Sequence, residues 1–295
     1  AVNTSVSYFR EFEETESVWR KDKGIGEKLL AEYKQKAIKL ELRNVTFTYQ
    51  GNEEPTIKNL NLTITPGEKL ALIGLNGAGK STFVKLLLRF YDPDEGEILY
   101  NGINVREYEA DTLRKKIGTV FQDYKVFALS VNENVLCREC ENDEDRLHVE
   151  KALKKSGAYD KISTFERGAD TVLTKEFDDN GTGLSGGEQQ KVAAARMFAH
   201  PFDLAVLDEP SSALDPIAEY KMYESLIEET VGKMVIYISH RLSSAVLSDR
   251  IYVFENGTVA ESGSHVELME KNGVYAEMFT MQASNYKDEE DEDNE

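Results

Sequence analysis

The chain has 295 residues, which at about 100–200 residues per domain makes one large domain or two small ones. Hydrophobic residues are 40% and charged residues 30%, a globular composition, and the formal net charge of −19 argues against nucleic acid as the main partner, because binding phosphate backbones requires a basic face. Two cysteines are too few for a disulfide scaffold, no stretch approaches the roughly 18–20 apolar residues of a spanning helix, and the start AVNTSVSYFREFEE lacks the pattern of a secretory signal.

Residues 1–39 are polar, with Val2, Val6, Phe9 and Phe12 near helical spacing. Such a short helix packs either on its own domain or at the end of a longer helix upstream. The chain starts with Ala rather than Met, so we expect a piece of a longer protein, with residues 1–39 as a linker and the folded domain beginning near Lys39. Leu40–Tyr49 and Ile57–Thr65 alternate apolar and polar residues like half-buried strands, the second stopping at Pro66-Gly67. Lys69–Gly74 is an apolar run that enters a Gly-rich loop, and Lys80–Phe90 has helical periodicity. Asn142–Ser163 is rich in helix signals. Further on, Leu204–Leu207 and Met234–Ile238 look like strands buried on both faces, and Glu188–Ala199, Pro216–Val231 and His265–Glu270 look helical. Buried strands alternating with helices imply an α/β domain with a largely parallel sheet. The stretch 287–295 holds one Lys and seven acids, a density expected to leave an acidic disordered tail.

Gly74-Leu-Asn-Gly-Ala-Gly79-Lys80-Ser81 fits G-x-x-x-x-G-K-[ST] between a predicted strand and a predicted helix. Glycines let backbone N–H groups curl around phosphate oxygens, and a helix N-terminus adds partial positive charge. Lys80 supplies a point charge for the β- and γ-phosphates, and Ser81 a hard oxygen for Mg2+. Leu204-Ala-Val-Leu207-Asp208-Glu209 is an apolar strand that ends in two carboxylates. Asp208 suits Mg2+, directly or through water, and Glu209 is then placed to polarise a water for attack on the γ-phosphate. Cys137-Arg-Glu-Cys140 is a lone C-x-x-C, too few ligands for zinc. His148, His200 and His265 read as structural or exposed.

Leu184-Ser185-Gly186-Gly187-Glu188-Gln189-Gln190 offers a second anion-binding helix N-terminus. With these residues the sequence resembles the nucleotide-binding domain of ATP-binding cassette (ABC) proteins over roughly residues 40–286. The resemblance implies a P-loop NTPase core with a mostly parallel sheet, an N-terminal antiparallel β-subdomain and an inserted α-helical subdomain over about 124–200. It implies ATP and Mg2+ as ligands. Tyr49 matches the aromatic that stacks on adenine, and Gly74, Asn76, Gly77, Ala78, Gly79, Lys80, Ser81 and Thr82 match the phosphate loop. Ser185, Gly186, Gly187 and Glu188 match the signature that reaches the other subunit's nucleotide, and Asp215 matches the loop that crosses the dimer interface. Gln122 matches the glutamine that senses Mg2+, making a metal set of Ser81, Gln122 and Asp208. His240 matches the histidine at the γ-phosphate, making a catalytic set of Glu209, His240, Gln122 and Lys80.

Phe121–Asn134 resembles the exporter class of the family. Thr174–Gly181 departs from the Glu-Arg-Gly element that many exporters carry there, which leaves the membrane partner and cargo open but not the ATPase. The expected partners are a transmembrane domain, upstream in the same protein, and a second ABC domain, identical or different. The expected location is the cytoplasmic face of a membrane. An importer subunit is the main alternative, against which the 39 polar N-terminal residues count. A cassette ATPase acting off the membrane usually carries coiled-coil insertions or two cassettes, and a non-enzymatic regulator would show no turnover.

Overall fold

The computed structural model describes residues 39–176, 181–208, 223–239 and 242–292, with 285–292 as backbone alone. The expected linker, Asp215 (expected at a dimer interface), and Glu209 and His240 lie outside these residues.

In chain order the strands are β1 Leu40–Phe47, β2 Ile57–Ile64, β3 Lys69–Ile73, β4 Glu95–Tyr100, β5 Ile103–Asn104, β6 Ile117–Val120, β7 Leu204–Asp208, β8 Met234–Ile238, β9 Arg250–Glu255 and β10 Thr258–Gly263. The helices that matter below are α1 Lys80–Leu87, α2 Val131–Leu136, α3 Asp143–Lys155, α4 Tyr159–Ser163, α5 Gly186–Phe198, α6 His265–Lys271 and α7 Val274–Glu292. One sheet is antiparallel, ordered β2-β1-β4-β5, and the other runs β10-β9-β3-β8-β7-β6. Every pairing in the second sheet is parallel except β10 with β9. The P-loop NTPase architecture is therefore present, with the N-terminal antiparallel layer and a helical insertion between β6 and β7.

Period-2 alternation puts the two faces of the parallel sheet into two cores. Leu70 and Leu72 of β3 face α1 and the antiparallel sheet, packing with Phe83, Leu62 and Ile98. Ala71 and Ile73 face the other way, with Leu207, Tyr237, Met197 and Tyr275. A third cluster belongs to the helical insertion: Val135, Val149, Leu153 and Ile162 close on Val192 and Ala195 of α5. Thus α5 contributes to two cores at once, through Ala194 and Met197 on one side and Val192 and Ala195 on the other.

Two Asn-Gly turns shape the sheets. Asn101-Gly102 (φ 56° and 79°) joins β4 to β5, and Asn256-Gly257 (φ 50° and 82°) joins β9 to β10. Both residues of each turn take positive φ, as the two-residue hairpin turn matching strand twist requires. The second turn also reaches other elements: the Gly257 N–H donates to the Ala78 carbonyl (3.1 Å), and its carbonyl accepts from the Lys58 N–H (2.8 Å).

Some boundaries move from the sequence reading. β1 ends at Phe47, so Tyr49 lies just past the strand, and α1 stops at Leu87. Helix α7 continues to Glu292, past Lys287, where a disordered tail was expected. Its first turns are fixed by Tyr275 and Phe279 in the core, and extending a nucleated helix adds one hydrogen bond for each residue ordered.

Candidate active site

The phosphate loop leaves β3 after Ile73 and enters α1 at Lys80. Gly74 has φ 151°, and a Cβ there would stand 2.3 Å from the Phe254 carbonyl oxygen of β9. Gly79, at φ 107°, would place one 2.8 Å from Ile57 Cδ1 of β2. Close approach of neighbouring strands, as well as positive φ, thus requires glycine at both ends of the loop. Between them Leu75, Asn76 and Gly77 are exposed, while Ala78 is buried and its N–H donates to the Leu75 carbonyl at 3.2 Å. The Lys80 side chain is buried and turns back into the loop, its Nζ donating to the carbonyls of Gly74 (2.7 Å) and Leu75 (3.2 Å).

No side chain caps α1, whose N-cap is Gly79. Its first turn, with Ser81 exposed, opens onto the loop as a cradle of N–H groups suited to phosphate oxygens. Thr82 is buried, and its Oγ1 lies 3.2 Å from the Tyr49 hydroxyl. Tyr49 stands edge-on to Phe47 and Tyr91 (centroids 4.9 and 5.2 Å), with the Lys85 ammonium 5.7 Å from its ring centre. The fold therefore does bring the candidate adenine-stacking ring beside the helix that begins at the phosphate loop, 33 residues away in sequence.

Strand register gathers the remaining groups. Leu72 pairs with Ile238, Ile238 with Asp208, and Leu207 with Val120. The C-terminal ends of β3, β8, β7 and β6 are therefore level at one edge of the sheet. The phosphate loop follows β3, Gln122 follows β6, and Asp208 closes β7. Gln122 is exposed in a turn, and Asp208 is half-buried. Ligand crevices in open α/β sheets lie at this edge, where the strand order reverses. Among the described residues no group of three His, Cys, Asp or Glu comes together. A hydroxyl, an amide oxygen and one carboxylate do suit Mg2+, which keeps waters and takes phosphate oxygens alongside few protein ligands.

The signature segment opens α5. Ser185 is exposed at its N-cap, and a capping box closes on it. The Glu188 N–H donates to Ser185 Oγ at 3.4 Å, and Glu188 Oε2 accepts from the Ser185 N–H at 2.8 Å. That N–H and the Lys161 ammonium (3.2 Å) hold the Glu188 carboxyl below its ordinary range.

Sequence reasoning passed over a groove between the core and the helical insertion, of about 790 Å³, lined by Phe121, Tyr124, Phe127, Arg196 and His200. Phe127 and Leu129 are 51% and 45% exposed. Asn134, fully buried, holds this edge: its Oδ1 accepts from the Phe127 N–H (2.9 Å), and its amide donates to the carbonyls of Phe127, Leu129 and Ser130. Arg196 Nε donates to the Asn134 carbonyl (2.7 Å), its guanidinium lies 5.3 Å from the Phe127 ring centre, and burial lowers its pKa. The sequence around Asn134 gives no sign of this role. The departing segment 174–181 is described only in part, and Cys137 and Cys140 are free thiols.

A family model described as ABC transporter matches residues 57–212. The ATP-dependent lipid A-core flippases of Salmonella typhimurium and Escherichia coli K12 are each 40% identical over 243 residues, covering 82% of this chain and 41% of theirs. A solved structure of a bacterial Atm1-family ABC exporter with ATP bound aligns at a TM-score of 0.74 and 33% identity, covering 83% of this chain and 42% of that one. The chain belongs to the ABC transporter family. It spans about two-fifths of the length of the curated relatives it matches.

Proposed function

We propose that this chain binds Mg-ATP in its phosphate loop and hydrolyses it as one of two facing subunits that drive a membrane domain. The observation that carries this reading is the uncapped start of α1 beside the inward-turned Lys80 ammonium: backbone donors and one cation converge on one small volume. In the closed pair, Lys80 and the first turn of α1 hold the β- and γ-phosphates, Tyr49 backs the adenine, and Ser185 to Gly187 of the facing subunit complete the site. Ser81, Gln122 and Asp208 would hold a magnesium ion, which would supply charge neutralisation of the phosphates. Glu209 and His240 orient the attacking water, and loss of the γ-phosphate contact lets the subunits part.

A membrane partner is supported by the groove beside Gln122, whose exposed Phe127 and basic Arg196, Lys115 and Lys125 suit an apolar loop bearing acidic residues. No helix among the described residues is long and apolar enough to cross a membrane, so that domain would be supplied by a further segment or another chain. In this reading the ATPase works at the cytoplasmic face of the membrane. The cargo follows from the membrane portion, and the lipid named for the relatives is not carried over.

Light scattering of Glu209→Gln with and without Mg-ATP tests the pairing. The expected result is a nucleotide-dependent shift from monomer to dimer, with ATP turnover nearly abolished. A monomer with ATP bound would show that this chain cannot complete its own sites, and turnover near the wild-type rate would remove Glu209 as the principal base.

A further inference from the structure

The two ends of α5 are held to the core very differently. At the C-terminal end the packing is close: a Cβ on Gly118 of β6 would lie 2.6 Å from Met197 Cγ and 3.0 Å from the Phe202 ring. At the N-terminal end, Glu188 is paired with Lys161 of α4 within the helical insertion, and mid-helix Val192 belongs to that insertion's core. The link from the first turn back to the core is a hydrogen bond: Tyr124 Oη donates to the Gly186 carbonyl at 2.9 Å. Tyr124 sits two residues beyond Gln122 on the loop leaving β6, and it also lines the groove beside Phe127. The Gly186 carbonyl has a second lone pair for the helix's own ladder, so this bond adds to the helix without breaking it.

We propose that Tyr124 is a positioning residue: its hydroxyl fixes the start of α5, and with it Ser185-Gly186-Gly187, relative to the loop that carries Gln122. The helix is anchored at Gly118 and steered at Gly186. An occupant of the groove touches the Tyr124 ring, so docking there and the placement of the signature segment share one side chain. For its consequence at the facing nucleotide, the inference rests on the paired-subunit reading above.

Tyr124→Phe removes the hydroxyl and keeps the ring. Two readouts in the Glu209→Gln background test it. Amide hydrogen exchange, which needs no dimer, should quicken at Gln189 and Gln190 in the variant by roughly three- to tenfold, the loss expected for one exposed hydrogen bond. ATP affinity of the dilute monomer and the melting temperature should stay unchanged, while Mg-ATP-driven dimerisation weakens by a similar factor. Unchanged exchange overturns the proposal whatever the dimer does. So does faster exchange with undiminished dimerisation, or an equal loss of monomer ATP affinity, which would make the effect a general one. If the Glu209→Gln parent itself stays monomeric with ATP bound, the paired-subunit reading fails, and the exchange result alone decides whether Tyr124 holds the helix.

Discussion

Two helix starts in this molecule face the same chemical problem and solve it in opposite ways. Both α1 and α5 follow glycine-containing segments, and both present first-turn N–H groups that the helix itself leaves unsatisfied. At α5 the chain satisfies them internally, with Ser185 and Glu188 bonded reciprocally. Helices α2 and α6 use the same device, through Ser130 with Glu133 and Ser264 with Glu267. At α1 no side chain does this; a glycine occupies the cap and a lysine bends back across the loop. A self-capped start is stable alone, and on the paired-subunit proposal it meets phosphate only when a partner brings it. An uncapped start with a cation beside it is made to hold phosphate itself.

The sharpest way to break the comparison is at Lys80. Lys80→Ala should weaken ATP binding by about 10- to 100-fold, the scale of a hydrogen bond to a charged group, as read by calorimetry. Unchanged affinity would mean that backbone donors alone carry the phosphate. At the other end, Ser185→Ala should cost about 1 kcal/mol of stability while leaving the monomer's ATP affinity within about twofold, since on the paired-subunit proposal this end serves the facing subunit. An affinity loss matching that of Lys80→Ala would collapse the distinction. The smallest effect concerns pH. The Glu188 carboxyl is held below its ordinary 4.5, first by the Ser185 N–H. The contribution is therefore complete above about pH 4.5 and is lost as the pH falls through the lower folded value. The melting temperature of wild type should exceed that of Glu188→Gln at about pH 6, and the gap should narrow on acidification below about pH 4.5. A gap constant across that range would show that the ionised carboxylate adds nothing to the box.

What was legible in the sequence is what is encoded locally. The phosphate loop, the strand ending at Asp208 and the helix start at Ser185-Gly186-Gly187 are contiguous runs whose residue types follow from their backbone geometry. The hairpin of β9 and β10 was equally legible, because Asn256-Gly257 sits between RIYVFE and TVAESG, but the reading passed over that signal and over Asn101-Gly102. Other features had no local signature. Tyr49 is singled out by the family resemblance and not by its neighbours in sequence; the pairing of its hydroxyl with Thr82 is what sets it beside α1. The Tyr124–Gly186 and Asn134–Arg196 bonds each join residues 62 apart, and nothing in either segment announces its partner. Helix α7 was not foreseen, and its acidic end continues a helix docked through its N-terminal turns, a dependence that composition does not report.

The turn at Asn256-Gly257 bears on how the chain is made. Its glycine donates to Ala78 and accepts from Lys58, and its open Cα leaves room for Thr56, whose carbonyl would lie 2.3 Å from any Cβ. Gly74 likewise depends on the strand containing Phe254. The phosphate loop is thus written early in the chain, yet it is buttressed by residues about 180 positions later. On a ribosome adding about 5–20 residues per second, the loop emerges many seconds before its buttress. Nascent chains halted before residue 250 should fail to retain nucleotide, and those carried past residue 263 should begin to do so. A site that looks local in sequence is, in the order of synthesis, among the last parts of the domain to be finished.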